Sequence, residues 1–428
     1  MTAVPAILKR HVAAAVAGNA LEFYDFTIYA AFAVQIGRTF FPGHSAFISL
    51  LLSLATFGAG FALRPVGAVV IGRYADKVGR KPAMLFSLTL MGVAILGLAL
   101  TPSYAMIGPA APILAVIWRL AQGFALGGEV GPTTAFLVES SPPAKRGLYG
   151  SWQNISQNMA FVAGGLVGVI LAKVAGPTGL EAWGWRVALG LGAAVLPFGL
   201  WLRRSLPETL HHHETPSAIH PPRPDLRGHA RVIVLGLALI ASATVATYVF
   251  SFMTTYALTT LHMAPGVSLA ATMVNGLAGM VFGLVGGLLA DRFGRRPMLI
   301  WPRVIFLIVA WPAFSLMVRH HNALTLLGVT FVLAGLAALS SAALLVGLTE
   351  SLRKEVRGAV MGTVYAASVA IFGGTTQPVI ASLIHWTGDP LAPAWYVMGF
   401  TLVGLIAALL IKETAHGRVA TREWVPAE

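Results

Sequence analysis

The stretch Gly72 to Pro82, GRYADKVGRKP, returns later in the chain as Gly287 to Pro297, GLLADRFGRRP. A chain that repeats itself at long range folds into two like units, so this pair makes the sequence a tandem repeat. A second pair fixes the register: Glu139 ahead of Arg146-Gly147 answers to Glu350 ahead of Arg357-Gly358, at nearly the same offset. Each copy sets a glycine, an aspartate and a basic cluster between two long apolar runs. The motif is therefore read as a tight charged loop joining membrane helices; a soluble GxxxD turn leaves the flanking runs unexplained.

Those runs dominate the composition. Of 428 residues, 57% are hydrophobic and 11% charged, and the mean hydropathy is +0.77, against about 25% charged in an average soluble protein. A polytopic membrane protein is expected. The formal net charge of +13 would suit a nucleic acid only on a basic face or arm of a water-soluble domain, and no such segment is visible, so nucleic acid is not an expected partner. The charge is read as topology instead. The absence of cysteine excludes disulfides, thiolate metal sites and cysteine catalysis. Lys9 and Arg10 ahead of an alanine-rich run imitate a signal peptide, but the apolar run continues past Ala17 and carries acidic residues.

Apolar segments of about 18 to 25 residues, long enough to span a bilayer as helices, fall at 12–37, 47–71, 84–101, 111–138, 149–172 and 185–202, then at 232–258, 268–289, 298–318, 323–348, 358–384 and 393–411. The expected domains are a six-helix bundle over 1–205, a polar, proline- and histidine-rich linker over 206–230, and a second six-helix bundle over 231–428. The run His211 to His213 reads as solvated linker rather than metal site. With the N-terminus inside, 23 of the 29 Lys and Arg fall in cytoplasmic segments, four outside (Arg38, Lys173, Arg186, Arg319) and two within helices (Arg64, Arg119). That bias obeys the positive-inside rule and puts both termini and both repeated loops in the cytoplasm. The halves are then parallel repeats able to rock about a central site.

An ionisable residue at mid-bilayer costs at least a few kcal/mol without a partner, so each one marks a candidate site. Five stand out, all in the first half: Glu22, Asp25, Arg64, Arg119 and Glu129. At roughly 1.5 Å per residue, Asp25 lies about 18 to 20 Å and Arg119 about 25 Å from the cytoplasmic ends of their helices, levels at which the two meet. Arg119, Gln122, Leu126 and Glu129 make one stripe of the fourth helix, with a guanidinium at one end and a carboxylate at the other. An arginine fork suits a carboxylate ligand and keeps its charge, although a structural ion pair with Asp25 is the alternative. Gln153, Asn154, Gln157 and Asn158 crowd one side of the fifth helix, where amides line a cavity or glue helices together. Asn19, Tyr29, Tyr248, Asn275, Tyr365 and Gln377 are further candidates for the same cavity. Glycines at four-residue spacing (Gly123, Gly127, Gly131; Gly164, Gly168; Gly279, Gly283, Gly287) provide smooth faces for close helix contact. Pro378 and the Gly373-Gly374 pair should bend or weaken the eleventh helix.

The duplicated loop, RLAQG at 119–123 and the 6+6 pattern resemble the major facilitator superfamily. GNALEFYDFTIYA at 18–30, IGRTFFP at 36–42, RPVGAVVIG at 64–72 and WGWRVALGLG at 183–192 resemble its metabolite:proton symporters. SWQNISQNMA at 151–160 and IFGGTTQPVI at 371–380 are similar to stretches of the citrate (tricarboxylate) proton symporters. The resemblance implies an all-α fold of twelve transmembrane helices in two parallel repeats. It also implies import of citrate or a related tricarboxylate across the inner membrane by alternating access, without a cofactor, driven by the proton gradient and functional as a monomer. Asp25, with Glu22 and Glu129, is expected to carry protons, Arg119, Gln122, the helix-5 amides, Asn19, Tyr29 and Tyr365 to hold the anion, and Asp76, Arg80, Asp291 and Arg295 to form a cytoplasmic gate. The alternatives are a symporter for a dicarboxylate, a shikimate-like acid or betaine, and a drug:proton exporter. An enzyme is not expected, because no metal-spaced His pair, nucleophile elbow or phosphate loop is present.

Overall fold

The computed structural model describes residues 20, 23–43, 45–127, 146–194, 197, 230–352 and 362–414, apart from the side chains of Asp76, Arg80, Lys81, Met84, Ala194 and residues 146–153. Every regular element among these is helical. In chain order they are α1 (23–40, its last part Ala33–Phe40), α2 (Ala46–Ala62 and Arg64–Val78, joined through Leu63), α3 (Arg80–Leu100), α4 (Ala110–Leu126), α5 (Arg146–Gly179) and α6 (Trp185–Ala194). In the second half come α7 (Ala230–Ser251 and Met253–Thr259), α8 (Pro265–Phe293), α9 (Arg295–Arg319), α10 (Ala323–Glu350), α11 (362–387) and α12 (Ala392–Leu410). Each expected apolar segment is thus matched by one helix.

Several helices, α2 and α7 to α10 among them, exceed the apolar runs that announce them. α2 continues past residue 71 through the repeated motif to Val78, and α3 begins at Arg80. What reads in the sequence as a charged loop is therefore one residue, Gly79 at φ 119°, and its counterpart Gly294 at φ 97° does the same between α8 and α9. Only glycine adopts such angles without strain, and this lets the chain leave one helix and start the next at once. In α11 a wide π-turn over Val369–Gly373 precedes Gly374 and Pro378, where the sequence predicts weakness.

Large aliphatic side chains cover the outside, among them Val69, Leu100, Ile117, Val174, Ile308 and Leu402, as a lipid-facing surface requires. Trp183, Trp386 and Trp395 are exposed near the helix ends remote from the repeated loops, where interfacial tryptophans anchor a bundle. Inside, small residues set the helix spacing. A Cβ on Gly123 of α4 would lie 1.6 Å from the carbonyl oxygen of Gly60 on α2, and one on Gly165 of α5 would lie 2.2 Å from the backbone nitrogen of Met273 on α8. These helices touch backbone to backbone, as the glycine faces predict.

The two halves meet at the end remote from the repeated loops. There Phe47 of α2 stacks on His385 of α11 with ring centres 3.8 Å apart, and Ala33, Leu50 and Leu54 share a buried cluster with Val245 and Val249 of α7. Nearer mid-membrane, α2 and α11 cross at Gly58 and Gly374, where a Cβ on Gly58 would fall 2.3 Å from the Gly374 oxygen. Below this crossing Phe57, Phe61 and Tyr248 pack edge to face and roof the space beneath.

Candidate functional site

Arg119 of α4 sits against α2, whose Gly60 would bring a Cβ within 3.0 Å of the Arg119 carbonyl oxygen. The close crossing drives its side chain toward α1. Its Nη1 donates to Asp25 Oδ2 at 3.0 Å and to Gln122 Oε1 one turn along α4. The guanidinium carbon lies 4.5 Å from the ring centre of Phe26, 4.4 Å from Tyr29 and 5.2 Å from Phe57. Tyr29 is held in turn by its hydroxyl, which donates to the Ser53 carbonyl. Neither charged side chain of the pair has any exposed surface. Asp25 and Arg119 therefore meet at the depth expected from the sequence, with Gln122 beside them, inside an aromatic cage that keeps Arg119, Gln122 and Tyr29 off the open cavity in this conformation. The cage leaves Asp25 Oδ1, Arg119 Nε and Nη2 and Gln122 Nε2 without hydrogen-bond partners. An under-satisfied buried pair of this kind gains by exchanging partners.

Beneath the Phe57, Phe61 and Tyr248 roof, on the side of the repeated loops, the halves border an open cavity of about 100 Å³ lined by Arg64, Asn154, Gln157, Thr247, Tyr248 and Tyr365, among others. A smaller recess of about 50 Å³ adjoins it, reached by Asn154, Gln157, Asn158 and Asn275. The Tyr365 hydroxyl is hydrogen-bonded to Gln157, which ties α11 to α5 across the cavity. Asn158 donates to the Asn154 carbonyl and wedges against Gly279 of α8, so close that a Cβ there would lie 1.9 Å from its amide oxygen. The amide face of α5 thus does both things open to it: it lines a cavity and it packs helices. Gln377 is buried with neither amide atom partnered. Asn19, Glu22 and Glu129, and the Gln153 side chain, lie outside the described residues.

Two arginines carry more than their place in the sequence suggests. Arg64 follows the break at Leu63 in α2, with its guanidinium carbon 4.7 Å from the Phe26 ring centre and 4.2 Å from Phe61. It borders the cavity, yet its Nε and Nη2 are buried without partners. The signal for it was an ionisable residue inside the apolar run 47–71. Arg303 corrects the expectation that buried charges are confined to the first half. α9 begins at Arg295, so Arg303 lies two turns inside it rather than at its cytoplasmic end, and only 3% of its surface is exposed. It donates to Leu299 O and faces Ser242, Ser340 and Thr401.

At the second repeated motif Arg295 bonds Asp291 Oδ1 at 2.9 Å and Glu350 Oε2 at 3.2 Å, while Glu413 accepts from the backbone nitrogens of Arg295 and Arg296. The carboxylate thereby caps the start of α9, where the helix dipole favours it. These bonds all fall within the second half. They join the ends of α8, α9, α10 and α12. The corresponding Asp76 and Arg80 side chains lie outside the described residues.

The family model of the Major Facilitator Superfamily matches residues 15–289 and 235–427, which together take in nearly the whole chain. The chain belongs to the major facilitator superfamily. Its relatives include the citrate-proton symporter of Klebsiella pneumoniae, 36% identical over 91% of this chain and 88% of that protein. They also include the proline/betaine transporter of Salmonella typhimurium, 31% identical over 96% of this chain and 84% of that one. The crystal structure of a D-xylose-proton symporter shares the fold with a TM-score of 0.77 at 18% identity, covering 95% of this chain and 97% of that chain. This superfamily member is a multi-pass membrane transporter and not an enzyme.

Proposed function

We propose that this transporter couples the entry of citrate or a related tricarboxylate to the entry of protons, by alternating access between its two halves. The observation that carries the reading is the buried Asp25–Arg119 pair beside the inter-half cavity. A carboxylate with one oxygen unpartnered, paired among the described residues with Arg119 alone, is a proton acceptor whose occupancy depends on what that arginine is doing. Protonation of Asp25 frees Arg119, and a substrate that reaches Arg119 frees Asp25, so the two events favour each other. Gln122, Asn154, Gln157, Asn158, Tyr29 and Tyr365 supply the polar contacts around that exchange, and Asp291 and Arg295 steady the end that must open. The 36% identity with a citrate-proton symporter over 91% of the chain supports the same reading. The Lys and Arg bias supports a cytoplasmic position for both termini in an inner membrane. The proposed unit of transport is a monomer.

A second reading, uptake of betaine or proline, has a relative in its favour. Uptake into vesicles holding the purified protein, with labelled citrate, tricarballylate, succinate, glycine betaine and proline, separates the two. Accumulation of a tricarboxylate that outcompetes the rest is expected; accumulation of betaine or proline with no acid transported contradicts the proposal.

A further inference from the structure

Arg64 and Arg119 lie on the same ring, Phe26, and in opposite circumstances. The charge of Arg119 is answered by Asp25 and shut away from the cavity. That of Arg64 is answered by no carboxylate among the described residues, and its Nε and Nη2 are buried without partners at the cavity wall. Rings of Phe26 and Phe61 hold the guanidinium plane but supply only part of what a desolvated cation requires. Its polar neighbours, Tyr248, Tyr365 and the amides of Asn154 and Gln157, are neutral hydrogen-bonding groups, and no described lining side chain is acidic. A buried, forked cation that meets no carboxylate among the described residues and faces an open volume is shaped for two oxygens of one carboxylate.

We propose that Arg64 receives a substrate carboxylate, with Tyr248, Tyr365 and Gln157 completing its hydrogen bonds, and that its charge, met by no carboxylate among the described residues, makes the cavity select net-anionic acids over zwitterions. The inference rests on the reading of the protein as an importer of carboxylates and names the group that recognises them. A zwitterion brings a cationic group with its carboxylate, and the described lining offers that group no counter-charge. Phe26 then places recognition next to coupling: an anion at Arg64 cancels a positive charge near the Asp25–Arg119 pair. Substrate and proton thereby assist each other's binding.

The test compares the parent protein with Arg64→Gln and Arg64→Lys in detergent, by calorimetry with citrate and by competition between citrate and glycine betaine. Loss of the charge-assisted fork should weaken citrate binding by at least about tenfold in the Gln variant and less in the Lys variant, which keeps the charge. The preference for citrate over betaine should narrow in the same order. Because the chain has no cysteine, Thr247→Cys places a single exposed thiol on the cavity wall. Citrate should slow its alkylation when Arg64 is present and not when it is Gln. If the Gln variant does not survive purification, the Lys variant carries both comparisons. Parent-like affinity, preference and thiol protection, even with a lowered melting temperature, would make Arg64 a structural cation and overturn the inference alone. A parent that binds betaine and no polycarboxylate contradicts the transporter reading and this inference together.

Discussion

Around Arg119 a single carboxylate, one amide and three rings take the place of water. Asn at position 25 keeps a hydrogen-bond acceptor but cannot carry a proton, so Asp25→Asn should abolish pH-driven accumulation of labelled citrate while some exchange persists across vesicles without a gradient. Full gradient-driven accumulation by that variant would remove Asp25 as an essential carrier. Lysine at 119 keeps the charge but loses the planar fork, and with it the stacking over Phe26 and Tyr29 and the second guanidinium nitrogen that a carboxylate ligand would use. Citrate affinity in Arg119→Lys should fall by roughly 1.5 to 3 kcal/mol, and calorimetry returning the parent affinity would exclude Arg119 from recognition. The meeting of Asp25 with Arg119 was legible from depth alone, because rise per residue fixes height in a membrane helix. The aromatic cage was not, since Phe26, Tyr29 and Phe57 look like ordinary apolar filling until the rotation of α1 against α2 is known. Arg303 was missed for a related reason: its helix starts earlier than the apolar run.

Helix contacts decide which conformation is stable. The α2–α11 crossing at Gly58 and Gly374 belongs to the arrangement closed at the end remote from the repeated loops. A methyl group there forces the backbones apart at a cost of about 1 to 3 kcal/mol, which is enough to move a two-state balance about tenfold. Gly58→Ala should lengthen the distance between spin labels placed at the remote ends of α2 and α11, whereas Gly72→Ala, with nothing within 4 Å of the added carbon, should leave it unchanged. Equal distances in both variants would mean that the crossing does not control closure. At the other end, Asp291→Asn removes one of two carboxylates from Arg295 and leaves Glu350 in place. It should change the transport rate while citrate affinity stays within about twofold, because it biases conformations and touches no cargo; a lost affinity with an unchanged labelling pattern would contradict a gating role. Helix number and order were readable from the apolar runs. Helix ends were not, since a helix continues through charged residues such as Asp76 and Lys77 once it has left the lipid, and hydropathy stops where the lipid does.

For the whole molecule, the energetics of import frame the account. A multivalent anion entering against an inside-negative potential is opposed by roughly 2.3 kcal/mol per charge per 100 mV, and each proton entering with it contributes about 1.36 kcal/mol per pH unit as well as a compensating charge. A carrier with one buried carboxylate beside its cavity, and two further acidic residues, Glu22 and Glu129, in the same half of the sequence, has groups with which to make that exchange. The most direct measurement therefore starts with no proton gradient at all. Vesicles containing the purified protein and an internal pH dye, with the membrane potential clamped at zero, receive citrate outside. Citrate entry should carry protons with it, so the interior should acidify in step with labelled citrate in the parent and not in Asp25→Asn. Citrate entering the parent at the same rate with no change in internal pH would contradict coupled transport.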